Sequence, residues 1–417
     1  MSTVNNGPQI VRNGLVLDLD ASYMRSYSPN VMPNPTDIFA WCGTSVLNSC
    51  TISRDTSITR QYGSIPLKMT VTGTDSHIRT YDSSTWNLAP AANGQTWTVS
   101  VYAKASVAST FGQIFIFPTN ASGLALTFGA DTLALTNSWT RFSFTYTITG
   151  AATTAFIQIR LDGSNTAGEI IWWDLLQVER ASSATTFNPY YFGNTIWRDI
   201  SGGGYNGTLT NGPLFNTSNY GNIAFDGSDD EITTNLPLTN FPSYSSFTFE
   251  TWVKITAFPA VLAANQYGVT YQAGVLLGAT YYAGAALYWY GNNAGNAFDL
   301  YGFIRGADGY RNTSAYSFSL NQWYHCVMVN NAALGTLVLF INGTLHSSVA
   351  TATLPYDPAN TPTAGNIGIS KSQIDGGGTA NYRAFGGNMA SARAYNRALT
   401  NAEITQNYQA TKTRFGL

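Results

Sequence analysis

Hydrophobic and polar residues alternate one by one along much of the chain. Clear alternation covers residues 97–103, 139–148, 156–161 and 246–255. Successive side chains of a β-strand point to opposite faces, so this period predicts half-buried strands with one face on a core and the other in water. Asn-Gly and Gly-rich turn signals separate the runs. The pattern therefore predicts an all-β protein built from antiparallel sheets.

The best-defined hairpin is predicted over residues 337–349. Two alternating segments flank Asn342 and Gly343 there. An Asn-Gly pair suits a type I′ turn, in which both central residues need a positive φ. The two segments are expected to pair as neighbouring strands.

One short helix is predicted near the C-terminus, over Leu399–Ala410. Thr400 and Glu403 have the spacing of a capping box, in which each side chain bonds to the other's backbone N–H. Ile404 and Tyr408 then fall on one face of the helix. The helix is expected to pack on a sheet through that face.

The composition narrows the class of protein. The 417 residues include 20 Lys and Arg against 22 Asp and Glu, so only 10% are charged, while 44% are hydrophobic and 14% aromatic. Such a chain is too apolar for intrinsic disorder. Its net charge of −2 argues against a nucleic-acid binder, which needs clustered cations. The length predicts two or three domains.

Three cysteines, Cys42, Cys50 and Cys326, are too few for a disulfide framework or a metal cluster. Cys42 and Cys50 could bridge a short loop or remain free thiols. The apolar stretch Val275–Tyr290 contains glycines and paired tyrosines, which favour two strands and a turn over a membrane span. Residues 1–11 lack the basic and apolar regions of a signal peptide, so no export by that route and no membrane association is expected.

Five segments in the C-terminal half form an ordered set. They are Ile223–Ile232, Phe247–Lys254, Asn321–Val329, Val338–Gly343 and Phe385–Ile404. Their sequences resemble the laminin-G-like, concanavalin A-like jelly rolls of tailed-bacteriophage structural proteins and of secreted bacterial proteins. The chain end, Asn407–Leu417, is similar to the ends of virion proteins from large phages, including phages of cyanobacteria.

The N-terminal segment resembles part of the same pattern. In such proteins a segment like Gly14–Ala21 normally runs straight into segments like Trp197–Gly202 and Asn206–Leu209, but here about 170 residues intervene. The resemblance implies that one domain is inserted into a surface loop of another, where insertion is tolerated. The expected fold is two antiparallel jelly-roll sandwiches with a short C-terminal helix. The host is residues 1–29 plus 191–417, and the insert is residues 30–190.

The insert resembles carbohydrate-binding-module-like jelly rolls of phage proteins. This likeness rests mainly on Ile171–Glu179 and the following Thr185–Tyr190. Together with the resemblance of the host, this resemblance implies that the chain carries two lectin-like domains.

Catalysis is not expected. A glycoside hydrolase needs two carboxylates facing each other across a cleft. The nearest candidates are Glu169, Asp174 and Glu179, whose spacing of five places successive members on opposite faces of a regular strand. Trp172 and Trp173 between them are interpreted as core residues. The histidines have no metal-ligand spacing; they are His77, His325 and His346.

Among the polar segments, an acidic turn gives the clearest indication of a binding site. Residues 226–231 contain four acids, and Asp229 and Asp230 are the candidate ligands of a Ca²⁺ ion. The alternative is that these carboxylates stabilise the turn by bonding to its backbone. Calcium is the one cofactor that the sequence raises.

A Tyr-rich stretch over residues 265–312 offers candidate contacts for a glycan or for another subunit. Alternation buries about half of its rings, so a purely structural role is the third interpretation. The candidate contact residues are Tyr267, Tyr271, Tyr281, Tyr282 and Tyr310.

The resemblance implies a non-enzymatic virion structural protein of a tailed phage, acting as a fibre, appendage or capsid decoration. Such a protein would be assembled in the host cytoplasm and would contact other virion proteins and host surface glycans. It would be a homotrimer or a particle-attached monomer, since closed homo-oligomers are usual in symmetric particles. The alternative is a secreted or surface bacterial adhesin or a glycan-degrading enzyme.

Overall fold

A computed structural model defines the fold. It describes residues 8–23, 26–27, 36–39, 46–58, 64–79, 90–91, 93–108, 111–120, 129–149, 155–163, 166–185, 187, 195–216, 218–242, 244–258, 273–278, 285–291, 297–306, 309–351, 366–371 and 385–417.

The chain divides into two compact units. Unit 1 is residues 1–27 plus 195–417, and unit 2 is residues 28–194. The host and insert expected from the sequence had their joints at 29 and 191, two and four residues from the joints at 27 and 195.

The strands are numbered along the chain. They are β1 Leu15–Asp20, β2 Val46–Asn48, β3 Cys50–Arg54, β4 Leu67–Val71, β5 His77–Arg79, β6 Pro90–Ala91, β7 Thr96–Ala105, β8 Phe111–Asn120, β9 Gly129–Ala134, β10 Thr140–Thr147, β11 Ala155–Asp162, β12 Ile170–Glu179, β13 Ile196–Trp197, β14 Gly207–Thr210, β15 Leu214–Asn216, β16 Asn222–Asp226, β17 Glu231–Pro237, β18 Phe247–Ile255, β19 Ala273–Gly278, β20 Ala285–Gly291, β21 Phe298–Gly306, β22 Gly309–Asn312, β23 Tyr316–Ser317, β24 Trp323–Asn331, β25 Thr336–Ile341, β26 Thr344–Ala350, β27 Asn366–Lys371 and β28 Gly386–Tyr395. Helix α1 is Asn401–Thr411.

Unit 1 is a sandwich of two antiparallel sheets. One sheet has eight strands in the order β15-β16-β28-β18-β24-β25-β26, with β1 also paired to β28. The other has nine strands in the order β13-β14-β17-β27-β19-β20-β21-β22, with β23 also paired to β21. The inward residues of both sheets form one core, which includes Leu19, Phe249 and Trp289.

Unit 2 is a second sandwich. A five-stranded sheet, β10-β7-β12-β4-β3, supplies one layer, and a six-stranded sheet, β2-β5-β11-β8-β9 with β6 paired to β11, supplies the other. Trp97 and Trp173 lie in the core between them. Cys50 in this unit is a free thiol, and its expected alternative partner, Cys42, lies outside the described residues.

The predicted all-β fold with a short C-terminal helix is confirmed. The hairpin β25–β26 turns at Asn342 and Gly343, whose φ values are +51° and +74°. Helix α1 begins after Thr400, and Thr400 and Glu403 form both bonds of the capping box. Ile404 packs against the outer face of the eight-stranded sheet. No described helix has the length and hydrophobicity needed to cross a membrane.

Unit 1 is discontinuous in sequence, but its two segments are joined by direct contacts. Tyr27 and Trp197 form an isolated antiparallel bridge. The Asp199 carboxylate accepts a hydrogen bond of 2.9 Å from the backbone N–H of Asp18 in β1. The first segment therefore contributes a strand to the sheet that the second segment builds.

A buried ion cluster fixes β1 to the centre of the eight-stranded sheet. The Arg393 guanidinium on β28 donates to Asp18 at 2.8 Å, Asp20 at 2.9 Å and Glu250 at 3.0 Å. All four side chains are at most 4% exposed. Three carboxylates around one guanidinium leave an excess of two negative charges, which a buried site tolerates only if further cations are present.

Two more arginines supply those cations. Arg414, beyond helix α1, donates to Asp20 at 2.8 Å, and Arg12 donates to Asp18 at 3.3 Å. Asn407 of helix α1 donates to Glu250 at 2.6 Å. The cluster thus ties both ends of the chain to the same sheet.

Deleting residues 1–27 should unfold or strongly destabilise unit 1. Strand β28 would lose a partner, and Arg393 would lose two of its three carboxylates, a loss of about 3–5 kcal/mol for a broken buried pair. Thermal and urea unfolding monitored by circular dichroism measure the effect. The matched control deletes residues 28–194 and joins Tyr27 to Thr195 with a short Gly-Ser linker, which should leave unit 1 folded. A folded unit 1 of undiminished stability without residues 1–27 would contradict the role of β1.

Acid should destabilise unit 1 through Glu250. Burial acts to raise the pKa of Glu250, but the neighbouring His325 and Arg393 outweigh it and lower the pKa to about 2. The ionised form is therefore favoured on folding, and its contribution is lost as the pH falls from about 4.5 to about 2. Asp20 also makes unit 1 less stable in acid. Burial acts to raise the pKa of Asp20, but Arg414 and Arg393 outweigh burial and lower it.

The variant Glu250→Gln tests this assignment. Urea unfolding at a series of pH values gives the free energy of unfolding. Between pH 4.5 and 2, this free energy should fall less in Glu250→Gln than in wild type, by on the order of 3 kcal/mol. Asp18 has the opposite effect on the pH dependence of stability, since burial raises its pKa. An unchanged pH dependence in Glu250→Gln would show that other groups control acid unfolding.

Candidate functional site

The acidic turn lies between β16 and β17 in unit 1. Carboxylate oxygens of Asp226, Asp229 and Asp230 all lie within 4.8 Å of one another. Asp229 and Asp230 are the two residues predicted from the sequence, and Asp226 joins them because the turn folds back on itself. Among the described residues, this is the one group of three potential metal ligands found.

Hydrogen bonds within the turn use two of these carboxylates. Asp230 is buried and accepts from the Asp226 backbone N–H at 2.8 Å. Asp226 accepts from the Ser228 backbone N–H at 2.7 Å. The geometry fits turn stabilisation directly, and the exposed Asp226 and Asp229 carboxylates could in addition bind a hard cation such as Ca²⁺.

Four of the five tyrosines predicted as contact residues lie outside the described residues. They are Tyr267, Tyr271, Tyr281 and Tyr282. The backbone of Tyr310 lies in β22, paired with Arg305.

A surface that the sequence did not single out lies on the outer face of the five-stranded sheet of unit 2. The Lys104 ammonium lies 4.6 Å from the ring centroid of Trp172 and 5.3 Å from that of Trp139. The Trp172 indole N–H donates to Asp55 at 2.8 Å. We call Lys68, Lys104, Trp139 and Trp172 the tryptophan–lysine surface.

Sheet register explains why these side chains meet. Trp172 on β12 pairs with Lys104 on β7 and with Lys68 on β4, so a lysine flanks it on each side. All three side chains are half-buried. The arrangement leaves a half-buried aromatic ring between two cations, with the Asp55 carboxylate at its indole N–H. Such a surface suits a ligand with both apolar and acidic groups.

The interpretation of Trp172 and Trp173 as core residues is half wrong. Trp173 is fully buried, but Trp172 points to the opposite face of the sheet. Consecutive residues of a regular strand point to opposite faces, so the Trp-Trp pair itself indicates that one indole faces outward.

The expectation that Asp174 and Glu179 lie on opposite faces is also wrong. Leu175 has a φ of +51°, and the β12–β7 register shifts between Asp174 and Gln177. Such a bulge adds one residue to the strand and reverses the alternation beyond it. Asp174 and Glu179 therefore share the outer face, where they pair with Tyr102 and Thr98.

Both carboxylates are nevertheless engaged in structural contacts. Asp174 accepts from the Ser64 hydroxyl at 2.9 Å, and Glu179 accepts from the Thr185 backbone N–H at 2.8 Å. Both side chains are fully buried. Burial raises the pKa of Glu179. These contacts favour a structural role, in which Glu179 orders the segment after β12.

Replacing Asp230 by Ala should destabilise unit 1 with or without calcium. The change removes the acceptor for the Asp226 N–H and costs about 1–3 kcal/mol. Asp229→Asn is the matched control, which should leave the thermal midpoint almost unchanged in EDTA. Differential scanning calorimetry with EDTA and with millimolar CaCl₂ makes the comparison. Stabilisation by CaCl₂ that Asp229→Asn abolishes would instead assign the turn to calcium.

Comparison with known families agrees with the sandwich of unit 1. Residues 226–405 match the profile of the concanavalin A-like lectin/glucanases superfamily. No curated protein sequence matches the chain.

Several solved structures show a partial likeness to this chain. The binding domain of botulinum neurotoxin serotype D is 17% identical, with a TM-score of 0.36 over 51% of this chain and 48% of that one. The binding domain of botulinum neurotoxin DC, solved in complex with rat synaptotagmin II, is 14% identical, with a TM-score of 0.39 over 52% of this chain and 49% of that one. The chain thus spans about half the length of these structures. The region of unit 1 from Asp226 to Thr405 is similar to the concanavalin A-like lectin/glucanases superfamily.

Proposed function

We propose that the chain is a non-enzymatic virion structural protein of a tailed bacteriophage that contacts host surface glycans. The lectin/glucanase-like fold of unit 1 and the ordered sequence resemblance to phage jelly rolls support this assignment. The observation that carries the glycan contact is the tryptophan–lysine surface of unit 2.

The tryptophan–lysine surface suits an acidic polysaccharide. One face of a pyranose ring carries only C–H groups, which stack on the electron-rich face of an indole. Lys68 and Lys104 beside Trp172 add charge-assisted bonds to a uronate or another acidic substituent. Because Lys68, Lys104 and Trp172 lie on three neighbouring paired strands, their backbone positions are fixed before the ligand arrives.

The absence of catalysis is part of the proposal. Asp174 and Glu179 are both buried and both accept hydrogen bonds from neighbouring side chains or backbone. Neither is free to protonate a leaving group or to activate water, as a glycosidase requires. Incubation of the protein with a bound polysaccharide should release no reducing ends, and their release would favour the alternative of a glycan-degrading enzyme.

Assembly follows from the same proposal. The chain is expected to be a trimer or a particle-attached monomer, since few surface charges oppose association. Light scattering gives the oligomer, and a stable dimer would contradict this expectation. Mass spectrometry of purified virions tests the phage assignment directly, because a virion inventory without this chain would exclude it.

Trp172→Ala should weaken binding of the full chain to polygalacturonate by about tenfold. Losing the stacked ring removes on the order of 1.4 kcal/mol, given about 25 cal/mol per Å² of apolar area. Biolayer interferometry against immobilised polygalacturonate, with dextran as the neutral comparison, measures the change. Trp172→Phe keeps an aromatic face, so its affinity for polygalacturonate should fall by no more than about threefold. Equal binding by wild type and Trp172→Ala would contradict the proposal that the tryptophan–lysine surface binds the polysaccharide.

A further inference from the structure

A tyrosine on the surface of unit 1 occupies a backbone position that normally requires glycine. The turn between β15 and β16 closes with a hydrogen bond of 3.1 Å from the Gly221 N–H to the Ser218 carbonyl. Its two central residues, Asn219 and Tyr220, have φ values of +52° and +61°. Two positive φ values in succession define a type I′ turn, whose second central position is nearly always glycine.

The same chain contains the unstrained form of this turn. Between β25 and β26 the two central residues are Asn342 and Gly343, with φ values of +51° and +74°. The first position is asparagine in both turns, so Tyr220 stands where the other turn has Gly343. A bulky aromatic residue in the left-handed region is a true outlier, and such strain concentrates at functional sites.

The surrounding structure holds the strained turn in place. The Arg414 guanidinium donates to the Asn219 carbonyl at 2.6 Å and also to the Gly221 carbonyl. The Asn219 side chain in turn accepts from the Trp323 indole N–H at 3.1 Å. These hydrogen bonds fix the backbone and the Asn219 side chain of the turn. None of them involves the Tyr220 side chain.

The Tyr220 ring projects into solvent. It is 80% exposed, the highest value among the large hydrophobic side chains described. Tyr23, which is 53% exposed, interacts electrostatically with the Arg414 guanidinium that also binds the turn. The charges beneath, on Arg414 and Asp20, are paired with each other at 2.8 Å. The Tyr220 side chain thus offers an aromatic ring and a hydroxyl, and the two charges beneath the turn neutralise each other.

We infer that Tyr220 is a second glycan contact, which stacks against neutral pyranose residues. This inference rests on the proposed glycan-binding function, but it concerns the other unit and another class of sugar. An exposed ring on a rigid turn offers a whole face for stacking, and the tyrosine hydroxyls can bond to sugar hydroxyls. The lysines that favour acidic sugars on the tryptophan–lysine surface have no counterpart among these residues.

The test measures binding and stability in the same variants of the full chain. Wild type, Tyr220→Gly and Tyr220→Phe are titrated with cellohexaose and maltohexaose, which are neutral, and with polygalacturonate, which is acidic. Tyr220→Gly should lose at least about tenfold in affinity for a neutral oligosaccharide and keep its affinity for polygalacturonate. It should also raise the melting temperature by about 2 °C or more, since glycine relieves the strain.

Two variants serve as controls. Tyr220→Phe keeps the ring and the strain, so it should match wild type in stability and bind within about threefold. Tyr244→Ala removes another exposed tyrosine, one without a positive φ, and should not alter binding of any of the three sugars.

The outcomes separate this inference from the proposed function. Neutral-sugar binding that Tyr220→Gly leaves within twofold of wild type overturns the inference alone, as does a lower melting temperature. Binding of polygalacturonate without any binding of the neutral sugars also overturns it and leaves the proposed function standing. Failure of wild type to bind any of the three sugars overturns both.

Discussion

The contact on which unit 1 depends is the buried guanidinium of Arg393 among Asp18, Asp20 and Glu250. Taking these charges out of water is costly, and their mutual attraction offsets the cost only when all partners are present. The partners come from β1, β18 and β28, with Arg414 added from beyond helix α1. Strands that are separated by almost the whole length of the chain must therefore assemble together, which makes residues 1–27 part of unit 1 despite the long insert.

This arrangement also explains how an insert is accommodated. The chain leaves unit 1 at Tyr27 and returns at Thr195, and the bridge between Tyr27 and Trp197 keeps these two points together. An insert whose own ends are close can be added there without disturbing the sheet. Each unit has its own core, so the two candidate glycan surfaces can vary independently of the contacts that stabilise the folds.

Alternation and turn chemistry predicted the strands, the β25–β26 hairpin and the capped helix, because each depends on residues near one another in sequence. The site residues were harder to predict. The bulge at Leu175 reversed the faces of Asp174 and Glu179, and strict alternation could not reveal it. Lys68, Lys104 and Trp172 come together only through the order of three strands. Tyr220 was missed because a tyrosine gives no sequence signal for a type I′ turn.

Hydrogen exchange of the full chain tests the central claim most directly, since it reports the stability of each strand separately. If the Arg393 cluster makes β1 part of the cooperative core, the amides of Leu15–Asp20 will exchange as slowly as those of Gly386–Tyr395, through global unfolding of unit 1. The variant Arg393→Met should accelerate both strands together. Rapid exchange of β1 in the wild-type protein, while β28 stays protected, would contradict the account.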